Sequence, residues 1–517
     1  MLNTVSRRHF LGTAAATAIG MAPMASAASR GPYIGAAREY LDTMLDKGTD
    51  RYGSKHTPLF CLSLDPESHT PPRAPEQVDW KYRRSFEYLY RDFGYYWKSH
   101  LHSSGSIYDQ GVLRALYGLT DATHDPRYAR AADTYLDFFL GNMVSEQTGH
   151  FGWGEHIFYN VFTDYLIGGA FTVRNSRNFS FNHELERWTT IYDLTYAKSP
   201  AKTLAEIDAI YEYKIHDPKT FINNRHSDYF EGRKTSDTLT FVKHSGLFVH
   251  AFTFAYVKTG EQQYKTWALK AADLFWGYRD PGTNLARSSV QRPKEPVAVG
   301  ELALLVLFLL RAYQLHPEPV YLERAVAYLR GYQKYFTADD HGHYRDVVGT
   351  DGVDQKPGQF SELWEGPLRM AKAAVLAYSL SHDEQLLALS DNIATQVTPE
   401  MKFNTIIQRS MISDEVEARA VALSTLLDLY EVTADRKYLS KARELADDAI
   451  SRYLYRGLFV SRMQLYPEGD KSVYVKVYDG RTAPGWLALN LIRLQRYNDA
   501  TEAGEFRKLD RLDRIYD

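Results

Sequence analysis

The sequence predicts an all-α fold, an (α/α) toroid built from stacked helical hairpins, and three observations lead there. An aromatic residue followed four positions later by alanine recurs at Tyr128 and Ala132, Tyr264 and Ala268, Tyr321 and Ala325, and Tyr438 and Ala442. That spacing places each pair on one helical face, where the small alanine lets a neighbouring helix approach closely. Breakers and caps precede these pairs, in Thr123-His124-Asp125-Pro126, Lys258-Thr259-Gly260, His316-Pro317 and Thr433-Ala434-Asp435. The separations between the units, roughly 50 to 65 residues, are longer than tetratricopeptide repeats and irregular, which favours a closed ring with long loops over an open solenoid.

Taken in chain order, the N-terminus reads Ser6-Arg7-Arg8-His9-Phe10-Leu11-Gly12, then an alanine-rich apolar run, then Ala25-Ser26-Ala27. This is the pattern of a twin-arginine export signal, so residues 1–27 are set apart from the fold and residues 28–517 are expected to form a single toroid domain. Cys61 is the only cysteine, which removes disulfides and cysteine-based zinc sites and leaves it the role of a small buried hydrophobe. Ser199-Pro200 is a cap and first-turn pair that opens a helix with Leu204, Ile207, Tyr211 and Ile215 as its apolar stripe. That helix ends before Asp217-Pro218, leaving Phe221 to Phe230 as loop or the start of another element. Near the C-terminus, Ser472 to Val477 alternates like a strand before Asp479-Gly480, which predicts a small β-hairpin beside a last helix over Trp486 to Leu494.

The bulk properties narrow the function. A net charge of -3 provides no global basic field, so nucleic acid is excluded as the expected partner and a polyanion would need locally gathered Arg and Lys. Even Leu302 to Leu310, the most apolar run in the body of the chain, falls short of the ~20 residues that span a bilayer. With the export signal, this predicts a periplasmic or secreted product, and nothing points to an obligate protein partner. The 38 tyrosines among 14% aromatics suit clefts that stack sugar rings and hydrogen-bond their hydroxyls, besides filling helical cores.

Glycine-rich phosphate loops, nucleophile elbows and His-Glu-x-x-His motifs are absent. Chemistry concentrates in residues 149–230, which hold Gly152-Trp153-Gly154-Glu155-His156, then His183-Glu184-Leu185-Glu186, then Asn223-Asn224-Arg225-His226. His156, Glu184 and His226 offer two imidazoles and a carboxylate, a donor set suited to first-row divalent metals. Their spacings match no compact metal motif, and ordinary core or surface histidines are the competing account. Trp153 and Tyr159 flank His156 and are the expected stacking platforms. Lys243 and Arg292 are candidate partners for substrate carboxylates, and Glu362, Trp364, Glu365 and Arg369 form a loop-to-helix cluster expected at the cleft.

The run His183-Glu184-Leu185, Tyr192-Asp193-Leu194, Ser199-Pro200, Ile215-His216-Asp217 and Asn224-Arg225-His226 resembles the family 2 polysaccharide lyases, pectate lyases of α/α-toroid fold. The resemblance covers about residues 150–230. It implies a divalent transition metal, Mn, Ni or Co in preference to Ca, held by His156, Glu184 and His226, with Arg225 as the base. His183 or Glu186 is the alternative middle ligand, and His150 the alternative first. The implied reaction is β-elimination on a 4-linked polyuronate such as polygalacturonate or its oligomers. Charge builds on the substrate carboxylate as C5 loses its proton, and a dication there supplies the electrostatic stabilisation. Guanidinium is ordinarily protonated, so a base role asks for a neighbouring dication and a dry cleft. In the alternative, Arg225 clamps a carboxylate while Lys243 or a tyrosine takes the proton. Two other functions fit the toroid. One is an unsaturated-uronide glycoside hydrolase using paired carboxylates such as Glu362 with Glu365 or Asp414 with Glu415. The other is a non-catalytic oligosaccharide-binding protein.

Overall fold

The computed structural model describes residues 31–71, 102–154, 157–168, 181–182, 191–225, 227–230, 233–234, 239–292, 296–337, 344–345, 347–353, 365–401, 405–407, 410–413, 416–465 and 473–502. Among them, fourteen α-helices pair into seven hairpins. The first helix, α1 (Pro32–Thr43), lies against the last, α14 (Pro484–Glu502), and the other pairs follow in sequence. They are α2 (Gln110–Thr123) with α3 (Pro126–Asn142), α4 (Tyr192–Lys198) with α5 (Pro200–Ala209), and α6 (Val242–Thr259) with α7 (Gln262–Tyr278). Then come α8 (Val299–Leu315) with α9 (Pro319–Phe336), α10 (Glu365–Ser381) with α11 (Glu384–Gln396), and α12 (Val416–Thr433) with α13 (Arg436–Tyr453). The even-numbered helices form an inner ring that closes where α14 packs on α2, and the odd-numbered helices form the outer wall. The chain is an α/α toroid.

Hydropathy separates the two layers. Inner helices are apolar on nearly every side: in α8 the run Leu302 to Leu310 is buried throughout, because the helix is covered by its ring neighbours and by the outer wall. No helix among the described residues is long and apolar enough to cross a membrane. Outer helices bury one face, and the four expected seams lie there, with Tyr128, Ala132, Tyr264, Ala268, Tyr321, Ala325, Tyr438 and Ala442 all buried. Three of the seam tyrosines also donate a hydroxyl to an aspartate of the preceding outer helix: Tyr128 to Asp42, Tyr264 to Asp208 and Tyr438 to Asp391, at 2.8, 2.7 and 2.8 Å.

Four of the six short connections share one chemistry. In these a residue with positive φ, His124, Gly260, His382 or Ala434, ends the inner helix in the left-handed conformation. The Thr or Ser before it accepts from the backbone N–H of the residue after it, as Thr433 does from Asp435 at 3.1 Å. Asp125, Asp383 and Asp435 then cap the outer helices by accepting from the N–H two residues on. All the long connections consequently emerge at the opposite end, where the inner helices begin. Those beginnings crowd together: a Cβ on Gly485 would lie 2.3 Å from Val112 N, one on Gly111 2.7 Å from Trp486 N, and one on Gly366 2.3 Å from Val299 Cγ1.

Every strand lies in the long connections. The alternating segment near the C-terminus is β15 (Val473–Asp479), and it belongs to a larger sheet than the hairpin expected. It sits between β1 (Ser63–Leu64) and β14 (Ser461–Leu465), the latter followed by β11 (Ser410–Ser413) and β10 (Thr405–Ile407). The last helix is longer than Trp486 to Leu494, and the helix opening at Pro200 presents a different face from the one expected. Its buried positions are Thr203, Glu206, Ile207, Ala209, Ile210 and Lys214, with Leu204 and Tyr211 half-buried at the margin. Its final turn, Ile210–Lys214, widens into a π-turn.

Charged side chains stitch the inner ring. Arg114 pairs bidentately with Asp193 between α2 and α4, at 2.9 and 2.5 Å, and Arg369 pairs with Glu417 between α10 and α12 at 2.6 Å. Asp428 on α12 takes Lys372 from α10 at 2.9 Å and Arg493 from α14 at 2.8 Å. Burial alone would raise the Asp428 carboxyl, but the Lys372 ammonium and the Arg493 guanidinium outweigh it and hold the carboxyl at about 2. Because that is below its ordinary value of 3.8, its stabilisation is present at neutral pH and is lost as pH falls from about 4 to about 2. Asp428→Asn is expected to cost about 3 kcal/mol at pH 7, since it leaves two cations without their counter-charge. Urea denaturation will also show a smaller loss of stability between pH 4 and pH 2 in the variant than in the wild type.

Candidate active site

The singled-out residues that are described fall in the long connections or near the start of an inner helix, at the same end of the toroid. Arg225 lies in the connection from α5 to α6, Lys243 in the first turn of α6 and Arg292 in the connection from α7 to α8. The structure brings the first two to one aromatic ring. The Arg225 guanidinium is 5.8 Å from the centre of the Phe241 ring and the Lys243 ammonium 5.7 Å from the same ring. Phe241 is the residue before α6, so both cations stand at the positive end of an 18-residue helix with no acidic residue in its first turn.

Two connections, the one from α5 to α6 and the one from α7 to α8, are laced together around Thr240. Its hydroxyl donates to the carbonyl of Asn223 at 2.6 Å and accepts from the Asn223 N–H at 3.2 Å. Gln291, next to Arg292, accepts from the Thr240 N–H at 2.9 Å and donates to the Thr240 hydroxyl at 3.1 Å. The bridge between Phe241 and Ser289 and the bond from Val242 N–H to Ser288 O continue the seam. Arg292, exposed, follows Gln291 directly in this seam. Arginine and lysine beside a helix N-terminus are the groups that suit an anion, and the planar fork of arginine suits a carboxylate in particular.

His156, Glu184, His226 and Trp364 lie outside the described residues, as do His183, Glu186, Glu362, Asp414 and Glu415. Among the described residues no group of three or more His, Cys, Asp and Glu side chains is disposed to hold a metal ion. The described flanks of the expected ligands are nonetheless neighbours. Strand β5 (Phe181–Asn182) pairs antiparallel with β6 (Ser227–Phe230), with Asn182 opposite Ser227. That register brings the chain just before positions 183 and 184 against the chain just after position 226. It fits a shared site for a divalent ion held by imidazole and carboxylate, whose donor chemistry suits Mn, Ni or Co.

Two expectations are corrected. Trp153 and Tyr159, anticipated as sugar platforms, are buried side chains with 0% and 2% exposure. Trp153 packs against Phe139, Phe151 and Tyr192, and Tyr159 sits edge-on to Phe138, so neither ring has a free face for a ligand. Arg369 does reach the loop end of the ring, paired to Glu417 beside Tyr108, Gln110 and Trp486, but the cavity there is only about 30 Å³, room for one water and not for a sugar ring. A much larger concavity of about 1110 Å³ lies on the outer wall, beside Tyr211 and Trp267. Its rim carries Glu146, Asp208 and Glu212, which set it against an anionic ligand.

Sequence reading missed what holds these connections in place. Glu206 on α5 is fully buried and its carboxylate accepts from Phe151 N–H at 2.7 Å, Trp153 Nε1–H at 3.2 Å and the His150 ring at 3.1 Å. Burial pushes His150 below the usual imidazole range, against the pull of Glu206 and with the help of the Lys214 ammonium. The ring is therefore neutral at neutral pH, and its Nδ1–H donates to the carboxylate. Lys214, 2% exposed, donates to the carbonyl of Arg225 at 3.0 Å, while its own carbonyl accepts from Asn224 N–H at 2.8 Å. The available signal was the spacing of Thr203, Glu206, Ile210 and Lys214, which runs along one side of the apolar stripe.

Comparison with known proteins places this geometry. A family model described as periplasmic pectate lyase matches residues 95–299 and 351–473. A pectate disaccharide-lyase of Dickeya dadantii (strain 3937) is 27% identical over 124 residues, which are 24% of this chain and 22% of that protein, so the chain spans about a fifth of the curated relative it matches. Among solved structures, a D-mannose isomerase aligns with a TM-score of 0.48 and 11% identity over 70% of this chain and 95% of its own. A cellobiose 2-epimerase from Bacillus thermoamylovorans gives 0.47 and 12% over 68% and 95%, and an unsaturated glucuronyl hydrolase specific for heparin 0.44 and 12% over 91% and 98%.

Thr240→Val keeps the shape of the side chain and removes the hydroxyl shared by Asn223 and Gln291. Chemical denaturation is expected to show a loss of about 1–3 kcal/mol, the cost of leaving buried partners without their bond.

Proposed function

Because this chain belongs to the periplasmic pectate lyase family, we propose that it cleaves a 4-linked polyuronate, polygalacturonate or its oligomers, by metal-dependent β-elimination. The observation that carries the reading is the meeting of Arg225 and Lys243 at the Phe241 ring, at the start of α6 and beside the connection that bears Arg292, within the span the family model covers. A polyuronate presents one carboxylate per sugar, and a group of cations suits it better than it suits a neutral glycan.

In this reading His156, Glu184 and His226 hold a divalent transition metal, which when bound supplies positive charge at the carboxylate of the sugar to be cleaved. Lys243 and Arg292 bind carboxylates and fix the register of the chain. Arg225 stands at the C5 proton. Its guanidine takes that proton, the C5–H electron pair forms the C4–C5 double bond, and the C4–O bond breaks with its electrons leaving on oxygen. The leaving oxygen then acquires a proton. If Arg225 instead clamps the carboxylate, Lys243 is the nearest described group able to accept the C5 proton. Export along the twin-arginine route, with action in the periplasm or beyond it, completes the proposal.

The test is absorbance of the 4,5-unsaturated uronate formed from polygalacturonate with added manganese, before and after a chelator. The chelator is expected to abolish the rise and Arg225→Ala to reduce its rate by about 10²–10⁴, the usual contribution of a proton-transfer group. Lys243→Ala is expected to raise KM with a smaller effect on kcat. Release of reducing sugar from unsaturated oligomers, with no ultraviolet rise on any polyuronate, would overturn the lyase reading in favour of a hydrolase.

A further inference from the structure

Two buried charges on one short element grip the two connections from which the site is assembled. Glu206 holds residues 150–153, the segment that leads to His156, through three donors: Phe151 N–H, Trp153 Nε1–H and the His150 ring. Lys214 holds residues 223–225 through the Arg225 carbonyl and, with its own backbone, Asn224. Both side chains are essentially without solvent exposure, at 0% and 2%. Burying a carboxylate and an ammonium costs several kcal/mol unless each is fully bonded, and apolar residues would fill the same volume at no such cost. What the charges provide that apolar residues cannot is direction: each donor and acceptor fixes the bearing of a backbone group on its loop.

We propose that Glu206 and Lys214 are positioning residues, and that α5 with its π-turn is the strut that fixes residues 150–153 relative to Arg225. The π-turn suits this role. Its wider winding inserts an extra residue between Ile210 and Lys214, so that the element buries Glu206 and Lys214 against two different connections. The His150 ring is one of the three groups that Glu206 holds. The steps from geometry to manganese affinity and to rate rest on the lyase reading above.

The experiment compares Glu206→Gln, Lys214→Met and Lys214→Arg with the wild type by amide hydrogen exchange, by calorimetric titration of the metal-free protein with manganese, and by kcat and KM on polygalacturonate. Glutamine keeps one acceptor oxygen but turns an NH₂ toward donors, so Glu206→Gln is expected to speed exchange in residues 150–153 alone and to weaken manganese binding roughly tenfold. Lys214→Met is expected to speed exchange in residues 223–225 alone, to leave manganese affinity unchanged and to lower kcat roughly tenfold or more with KM within about twofold. Lys214→Arg is expected to recover part of kcat. The proposal is overturned if exchange in both segments stays at the wild-type rate, or if it rises across the whole chain together with a fall in Tm, the mark of a merely structural role. Should the wild type cleave no polyuronate, it is the lyase reading that fails, while the exchange pattern still decides whether the two charges anchor separate segments.

Discussion

The constraint on which the molecule depends is the three-residue turn that joins inner to outer helices. In four of the six short connections a left-handed residue stops the inner helix and a Thr or Ser hydroxyl ties the turn, and in three of those four an aspartate starts the outer helix at once. A connection so short leaves the chain no latitude at that end, so every hairpin points the same way and every insertion is pushed to the other end. The seam tyrosines enforce the same order laterally, since each hydroxyl that reaches back to an aspartate fixes one outer helix against the one before it. The toroid thus has a rigid end and a variable end, and the strands, long connections and candidate active site share the variable one.

What the variable end can build is limited by the ring beneath it. The beginnings of the inner helices converge until only glycine fits at Gly111, Gly366 and Gly485, and the lumen below is occupied by Lys372, Asp428, Arg493 and Ser424 bonded to one another. The cavity beside Arg369 and Glu417 measures about 30 Å³, too little for a sugar ring. In the proposed reading a polymer lies across the connections rather than there. The shortest hairpin, α4 with α5, is where the connections before and after it are longest in candidate residues, and it is there that Glu206 and Lys214 are spent on loops instead of on the ring.

The ring was legible in the sequence because its determinants are local. Tyr128 with Ala132 and Tyr438 with Ala442 reveal a helical face by spacing alone, and Thr433-Ala434-Asp435 announces a turn by composition alone. The meeting of Arg225 and Lys243 beside the connection that bears Arg292 was legible only in part: each was a candidate, but the lacing of Asn223, Thr240 and Gln291 joins residues 17 and 51 positions apart and leaves no periodic trace. Trp153 misled for a related reason. Its neighbours in sequence suggested a site, whereas its neighbours in space, Phe139, Phe151 and Tyr192, make it core.

Glu206 was missed for the most general reason. Amphipathic patterning assigns charged residues to solvent, and the stripe Leu204, Ile207, Tyr211 and Ile215 assigns Glu206 and Lys214 to its margin. The chain rotates the helix so that both charges go inward, which hydrophobicity alone would not select. The bonds to Phe151, Trp153 and His150 on one side and to Arg225 on the other must therefore outweigh the loss of hydration, while Leu204 and Tyr211 stay half-buried at the margin. A helix face that departs from its own hydropathy is evidence of a demand stronger than packing, and here that demand lies in the two connections that flank the candidate active site.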